Sequence, residues 1–367
     1  MRAIVVRPPS PGATLEDIPA PPLAAGAVRV RVIECGVCGT DHDIVDGKYG
    51  RPPAGAPYLV LGHENFGEVL EVAPGAVGFS PGDLVVATVR RGCGSCRFCA
   101  VNRSDFCETG RFTERGIGGA HGYMAEEYVD VPEYLVRVPP PLAASAVLLE
   151  PLSVVEKAIE QGLQVFDRKE PTPGQPRDRA PTALVAGTGA IGMLASLVLT
   201  LRGCSVTTID RHGESTAAAA LLRTAGARHV NAAAGLGVLG DSRFDLVLEA
   251  TGSATLDFSL LERLGPNGVL VLTGIPDAAQ PPTSVPGGAL LREMVLGNRA
   301  IVGSVNANRK HFEAGLRDLL TLRERHAGLC ESLVSERRPI AEFHAALDHR
   351  AGSSIKTVLT VGAPAQT

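Results

Sequence analysis

The sequence predicts an α/β-plus-β protein of two domains, an irregular and mostly antiparallel β half followed by a doubly wound parallel sheet. Three observations predict it. The chain has 367 residues, more than one core organises, since single cores stop growing near ~250–300 residues. Its first half carries short β-branched runs punctuated by Gly, Pro and Asp, whereas strand and helix patterns alternate beyond about residue 182. Between them, Arg168 to Pro181 holds four prolines and no aliphatic residue larger than alanine, the composition of a solvated loop.

Composition narrows the function classes. Hydrophobic residues make up 45% and charged residues 20%, which excludes a disordered chain. A formal net charge of −4, from 35 basic and 39 acidic residues, offers no basic footprint for nucleic acid or an anionic membrane. Eight cysteines are too sparse for a disulfide scaffold and suit a reducing, cytoplasmic setting. The apolar run after Met1 is too short for a signal peptide. Thr182 to Leu201 is uncharged and long enough to span a bilayer. Gly187, Gly189 and Gly192 interrupt it, so a buried strand, a turn and a buried helix explain it better than a span.

The elements follow in order. Val28–Ile33, Phe66–Val72 and Leu84–Val89 read as strands, with turns at Pro74-Gly75 and Pro81-Gly82. Pro151–Gln161 has apolar residues at helical spacing. Strands at Ala183–Ala186, Ser205–Ile209, Asp245–Glu249 and Gly268–Leu272 then alternate with helices at Ile191–Leu201, Thr216–Ala225 (closed by Gly226) and Leu256–Leu264, the rhythm of a parallel sheet. Beyond about residue 305 a helix is expected over His311–Arg325. The strand Lys356–Val361 is expected to rejoin the first half.

Gly187-Thr188-Gly189-Ala190-Ile191-Gly192 fits G-x-G-x-x-G. It follows a predicted strand and opens a helix, the context in which the glycines let a pyrophosphate approach the helix amides. Asp210, eighteen residues past Gly192, can accept both adenosine ribose hydroxyls, which favours NAD; Arg211 beside it leaves NADP open.

Two constellations suit metals. Cys93, Cys96, Cys99 and Cys107 form C-x2-C-x2-C-x7-C, the closed all-thiolate shell of structural zinc. Cys38 and His63, twenty-five residues apart, offer two ligands of the three a catalytic zinc takes. Glu64 and Glu150 are the candidates for the third. The bland alternatives are that Cys38 is a small buried hydrophobe and His63 a satisfied core histidine. Cys35, Cys204 and Cys330 are isolated and read as packing residues.

On these motifs the sequence resembles the zinc-containing medium-chain dehydrogenases over nearly its whole length: GVCGTD (Gly36–Asp41), GHE (Gly62–Glu64), the four-cysteine lobe and GTGAIG. Within that superfamily it is similar to the glucose 1-dehydrogenases, through FTERGIGGAHGYM (Phe112–Met124), EYLVRVP (Glu133–Pro139), LLEPLSVVEKA (Leu148–Ala158) and REMVLGNRAIVGSVNANRKHFEA (Arg292–Ala314). The resemblance implies a GroES-like catalytic domain over residues 1–155 with a structural zinc lobe at 90–110. It implies a Rossmann NAD(P)-binding domain over 156–305 and a return to the catalytic domain over 306–367. It implies one catalytic and one structural zinc per subunit, and a homo-oligomer, dimer or tetramer.

Carried over by position, Cys38 and His63 bind the catalytic zinc. Glu150, directly or through water, stands where alcohol dehydrogenases have a cysteine, and Glu64 replaces it at some stage of turnover. Thr40 relays the substrate proton. The implied substrate set is Thr40, Glu64, Glu114, Glu150 and Asn306. The implied cofactor set is Gly187, Gly189, Ala190, Ile191, Gly192, Asp210, Arg211, Leu272, Thr273, Gly274, Ser304, Val305 and Asn306.

Two departures stand out: Val154, where some members carry a sugar-binding acid, and Asp210, where others carry arginines. The expected reaction is oxidation of the C1 hydroxyl of D-glucose or a related aldose to the lactone, with hydride transfer to NAD(P)+. The alternatives are a zinc polyol or alcohol dehydrogenase of sorbitol or threonine type, and a non-catalytic nucleotide-binding member.

Overall fold

The computed structural model describes residues 1–169, 179–277, 280–348 and 354–362. Most of the proline-rich stretch between Arg168 and Pro181 lies outside the described residues. The chain divides into two compact units, Met1–Ser153 with Asn306–Leu320 and Cys330–Thr367, and Val154–Val305 with Thr321–Leu329.

The first unit is built on a seven-stranded sheet whose central strand is Val28–Val37. Val28, Val30 and Val32 alternate inward and are fully buried, packing with Val69, Val85, Tyr128, Leu135 and Leu359. That is the period-two pattern of a strand with one buried face. Glu64–Val72 runs antiparallel on one side. Lys356–Thr360 pairs antiparallel with its far end, Thr357 opposite Val37 and Thr360 opposite Glu34. The expected return of the last strand to the first half is therefore observed. Val334–Pro339, which adds in parallel beside it, was not anticipated, because its sequence SERRP carries no apolar alternation.

In the second unit six strands run parallel in the order Arg228–Asn231, Ser205–Asp210, Thr182–Ala186, Phe244–Glu249, Leu264–Leu272, Ala300–Gly303. This is the doubly wound sheet. Its order reverses between Thr182–Ala186 and Phe244–Glu249, and ligands bind such sheets beyond the carboxyl ends of the strands at that point. The helix Ala190–Leu201 is buried from Gly192 to Leu199, which accounts for its uncharged sequence. No helix among the described residues is long and apolar enough to cross a membrane.

One expected helix is shorter than its sequence suggested. Helical structure stops at Leu261 in Ala254–Leu261, capped by the Ser253 hydroxyl, and Leu264 opens the next strand. Leu264 is fully buried opposite Phe244, and Pro266 cannot continue a helix. The helix Gly287–Leu296 was not foreseen: none of its residues is fully buried, and only Leu290 and Met294, both partly exposed, pack against the core of the second unit, while Leu291, Val295 and Leu296 are exposed and blur the apolar stripe.

Candidate active site and metal centres

Strand register brings the separated motifs together. Gly36, near the end of Val28–Val37, pairs with Glu64 at the start of its neighbour. Cys38 and His63 therefore meet at one end of the sheet despite their separation in sequence. Cys38 is the extended residue before the helix Gly39–Val45, and its Sγ lies 3.0 Å from His63 Nε2. The ligand atoms of Cys38, His63 and Glu64 all fall within 4.8 Å of one another. A thiolate, an imidazole and a carboxylate form a donor set that fits zinc.

Two further residues hold this set. Asp41, fully buried, accepts the Cys38 amide at 2.9 Å and places its other oxygen 3.5 Å from His63 Nδ1, the position of a carboxylate that would orient His63 toward a metal. Lys356, also buried, forms an ion pair with Glu64 and donates to the Val37 carbonyl at 2.8 Å. Gly36 admits them, since a Cβ there would fall 1.9 Å from Glu64 Oε2.

The electrostatics follow. Burial alone would lower the His63 pKa, but Cys38 and Asp41 hold it well above the ordinary value. Burial would raise Asp41, and His63 outweighs it, bringing Asp41 down. Burial would lower Lys356, but Glu64 and Cys38 keep it raised.

Glu150 stands in the first turn of the helix Leu149–Phe166, buried but outside the Cys38–His63–Glu64 group. Burial lifts its carboxyl to about 7, with Glu64 and Asp41 adding and His63 and Lys356 opposing. Thr40 is half-buried in the helix that Cys38 opens. Glu114 and Asn306, 192 positions apart, meet through a 2.6 Å bond from Asn306 Nδ2 to Glu114 Oε1. Asn306 does not cap the following helix. Asn308 does, its Oδ1 accepting the Lys310 amide at 3.0 Å.

The four cysteines also converge, with all sulfurs within 4.8 Å. The tight turns Cys99–Val101 and Ser104–Phe106 fold the lobe back on itself. The Ser95 and Thr109 hydroxyls bring Cys93 down to about 5, whereas burial and the neighbouring thiols push Cys99 up to about 12. All eight cysteines are free thiols, and Cys35, Cys204 and Cys330 are buried as packing residues.

In the second unit Gly189 precedes the helix Ala190–Leu201, and Gly192 lets helix and strand close up: a Cβ there would sit 2.0 Å from the Gly187 carbonyl. Free amides at that helix start fit a phosphate-bearing cofactor. Asp210 ends its strand and accepts from the Thr188 amide at 2.9 Å, the Thr188 hydroxyl at 2.7 Å and the His212 amide at 3.0 Å, with His212 Nδ1 2.6 Å away. Arg211 is exposed. Thr273 and Gly274 bond back to the Glu249 carbonyl, Ser304 donates to the Leu272 carbonyl at 2.9 Å, and Val305 is exposed. Leu272–Gly274 and Ser304–Val305 thus lie at the carboxyl ends of neighbouring strands.

Sequence reasoning missed Asp41 and Lys356, and also Arg90, whose Nη2 reaches Glu114 Oε1 at 2.9 Å. Asp41 stands three residues after Cys38, the spacing of a capping box. Lys356 is the lone charge in the run IKTVLTV, and a charge inside a buried strand calls for a partner. Arg90 carried no signal of its own.

Comparison with known proteins places this arrangement. Residues 24–140 match the alcohol dehydrogenase GroES-like domain, and with the doubly wound sheet and two metal-type donor sets this defines a medium-chain, zinc-type dehydrogenase. Residues 143–361 match the glucose dehydrogenase C-terminus. The glucose 1-dehydrogenase of Metallosphaera sedula is 39% identical over 98% of both chains, and that of Thermoproteus tenax is 40% identical over 94% of this chain and 95% of its own. Haloferax mediterranei glucose dehydrogenase in complex with NADP, Zn and gluconolactone superposes with a TM-score of 0.87 at 32% identity, covering 99% of this chain and all of that one. Escherichia coli galactitol-1-phosphate dehydrogenase, at 22% identity and a TM-score of 0.79 over 98% and 99% of the two chains, shares the fold. The chain belongs to the glucose dehydrogenase family.

Proposed function

We propose that this protein is a zinc-dependent glucose 1-dehydrogenase that oxidises the C1 hydroxyl of D-glucose to D-glucono-1,5-lactone, with hydride transfer to NAD(P)+. The observation that carries the reading is the Cys38–His63–Glu64 cluster, half-buried at Cys38 and buried at the other two, backed by Asp41 and Lys356, in a chain alike over its full length to glucose 1-dehydrogenases. When bound, zinc supplies Lewis-acid polarisation of the sugar hydroxyl.

The chain's own residues do the rest. Cys38 and His63 hold the ion, with Glu64 or Glu150 as third ligand, and Thr40 accepts the hydroxyl proton for relay. Glu114, Glu150 and Asn306 take the other hydroxyls, because a carboxylate accepts two donors and a misplaced hydroxyl leaves one unpaired. Cys93, Cys96, Cys99 and Cys107 hold the structural zinc. Residues 1–155 and 306–367 carry the catalytic role and 156–305 the nucleotide. Asp210 favours NAD, and Arg211 beside it admits NADP.

The setting is cytoplasmic, which eight free thiols support. The macromolecular partner is a second copy of this chain. Leu291, Val295 and Leu296 are exposed on one helix, and Ile301 is exposed on the strand Ala300–Gly303, which among the described residues pairs on one side only. Such a patch marks an interface.

An initial-rate matrix of several aldoses against NAD and NADP tests the activity. Glucose turnover with stoichiometric reduced nicotinamide is the expected result. Inert glucose and galactose beside an oxidised open-chain polyol would transfer the protein to the polyol class.

A further inference from the structure

We infer that Arg90 is a positioning residue for sugar recognition, and that through it the four-cysteine lobe sets the geometry of Glu114 and Asn306. This rests on the proposal that Glu114 and Asn306 receive sugar hydroxyls.

Arg90 is buried, and its Nη2 and Nε both reach Glu114 Oε1, at 2.9 and 3.1 Å. Asn306 Nδ2 reaches the same oxygen. Three donors on Oε1 fix the plane of the carboxylate, since turning it would break two charge-assisted bonds at once. No bond to Glu114 Oε2 occurs among the described residues, so that oxygen remains for an incoming hydroxyl.

The guanidinium is itself held. It stacks over the Phe112 ring at 3.9 Å, and its Nη1 donates to the Asp105 carbonyl at 3.2 Å. Asp105 lies in the turn between Cys99 and Cys107. The Asp105 side chain accepts from Asn308 Nδ2 at 2.8 Å, two residues from Asn306, whose backbone is left-handed (φ 60°) and whose Oδ1 accepts the Ala307 amide at 2.7 Å. The lobe therefore reaches the sugar-facing pair by two routes, Asp105 to Arg90 to Glu114 and Asp105 to Asn308 to Asn306. Neither Arg90 nor Asp105 need touch the sugar.

The variant Arg90→Lys keeps the charge and loses the fork. Its glucose KM should rise, and the affinity of the enzyme with reduced cofactor for gluconolactone should fall, by roughly tenfold to a hundredfold. The cofactor KM and zinc content should stay as in the parent. In a Glu114→Gln background the same change should add almost nothing, because Arg90 acts through that carboxylate. Additive effects, or losses spread equally over sugar and cofactor parameters, would mean Arg90 is merely structural and overturn the inference. So would unchanged sugar kinetics in Arg90→Lys where Glu114→Gln is impaired. Unchanged sugar kinetics in Glu114→Gln itself would instead sink the proposed role of Glu114. If Arg90→Lys does not fold, Asn308→Asp keeps the helix cap, cuts the second route and must raise the glucose KM with the cofactor KM held; an unaltered glucose KM there overturns the lobe's part.

Discussion

At the scale of single residues the metal centre is a problem of charge. Glu64 and Asp41 bring two carboxyl groups beside the Cys38 sulfur, and His63 and Lys356 answer them. Removing a ligand should cost chemistry more than fold. In Cys38→Ala, glucose turnover should vanish, one of the two zinc equivalents should be lost, and cofactor binding and thermal midpoint should stay near those of the parent, as elemental analysis, fluorescence titration and calorimetry would read. Retention of both metals would mean that the thiolate is no ligand. Cys38, His63 and the four clustered cysteines were legible because ligand chemistry shows as residue type and spacing. Asp41 and Lys356 were not, because their task depends on which strand lies beside which, and Lys356 reaches Glu64 only after the chain has closed its sheet.

At the scale of elements, the lobe and the sheet carry separable loads. Cys93→Ser should leave an incomplete shell, release the structural metal and lower the thermal midpoint, while the protein that remains folded still turns over, with a weakened hold on sugar; a parent-like melt with full zinc content would refute the structural role. The strand Glu127–Asp130 is pinned by Asp130, which lies 2.5 Å from Arg91 and 3.0 Å from Arg115. Burial alone would raise its carboxyl, but both guanidiniums hold it below the usual carboxylate range.

A depressed folded-state pKa contributes stability that is complete above the unfolded value of about 3.9 and lost as pH falls through the lower folded value. Asp130→Asn should therefore destabilise by about 3–5 kcal/mol at neutral pH, with the gap to the parent narrowing below about pH 4 in denaturant melts. A gap that does not change with pH would show the carboxylate to be uncharged in the fold. The four inner strands of the parallel sheet were readable because each carries an apolar run, whereas the outer strands Arg228–Asn231 and Ala300–Gly303 were not, the first being mostly polar and the second half-exposed. The helix Gly287–Leu296 and the strand Val334–Pro339 were not, since one packs only the partly exposed Leu290 and Met294 against the core and the other carries three successive charges.

For the whole molecule, the proposed association of two copies rests on the exposed apolar residues Leu291, Val295, Leu296 and Ile301 of the second unit. Ile301→Lys should shift the sedimentation profile toward monomer without altering zinc content, and an unchanged profile would remove this edge from the assembly. The closing strand has a different consequence, one of timing. Because Lys356–Thr360 completes the sheet that begins with Val28–Val37, a chain emerging from the ribosome holds Cys38, His63 and Glu64 long before the cation that balances them exists. Maturation of the pocket thus waits until Lys356 itself has been made, and a chain halted at Ser354 should accumulate as an inactive, aggregation-prone species however complete its nucleotide half.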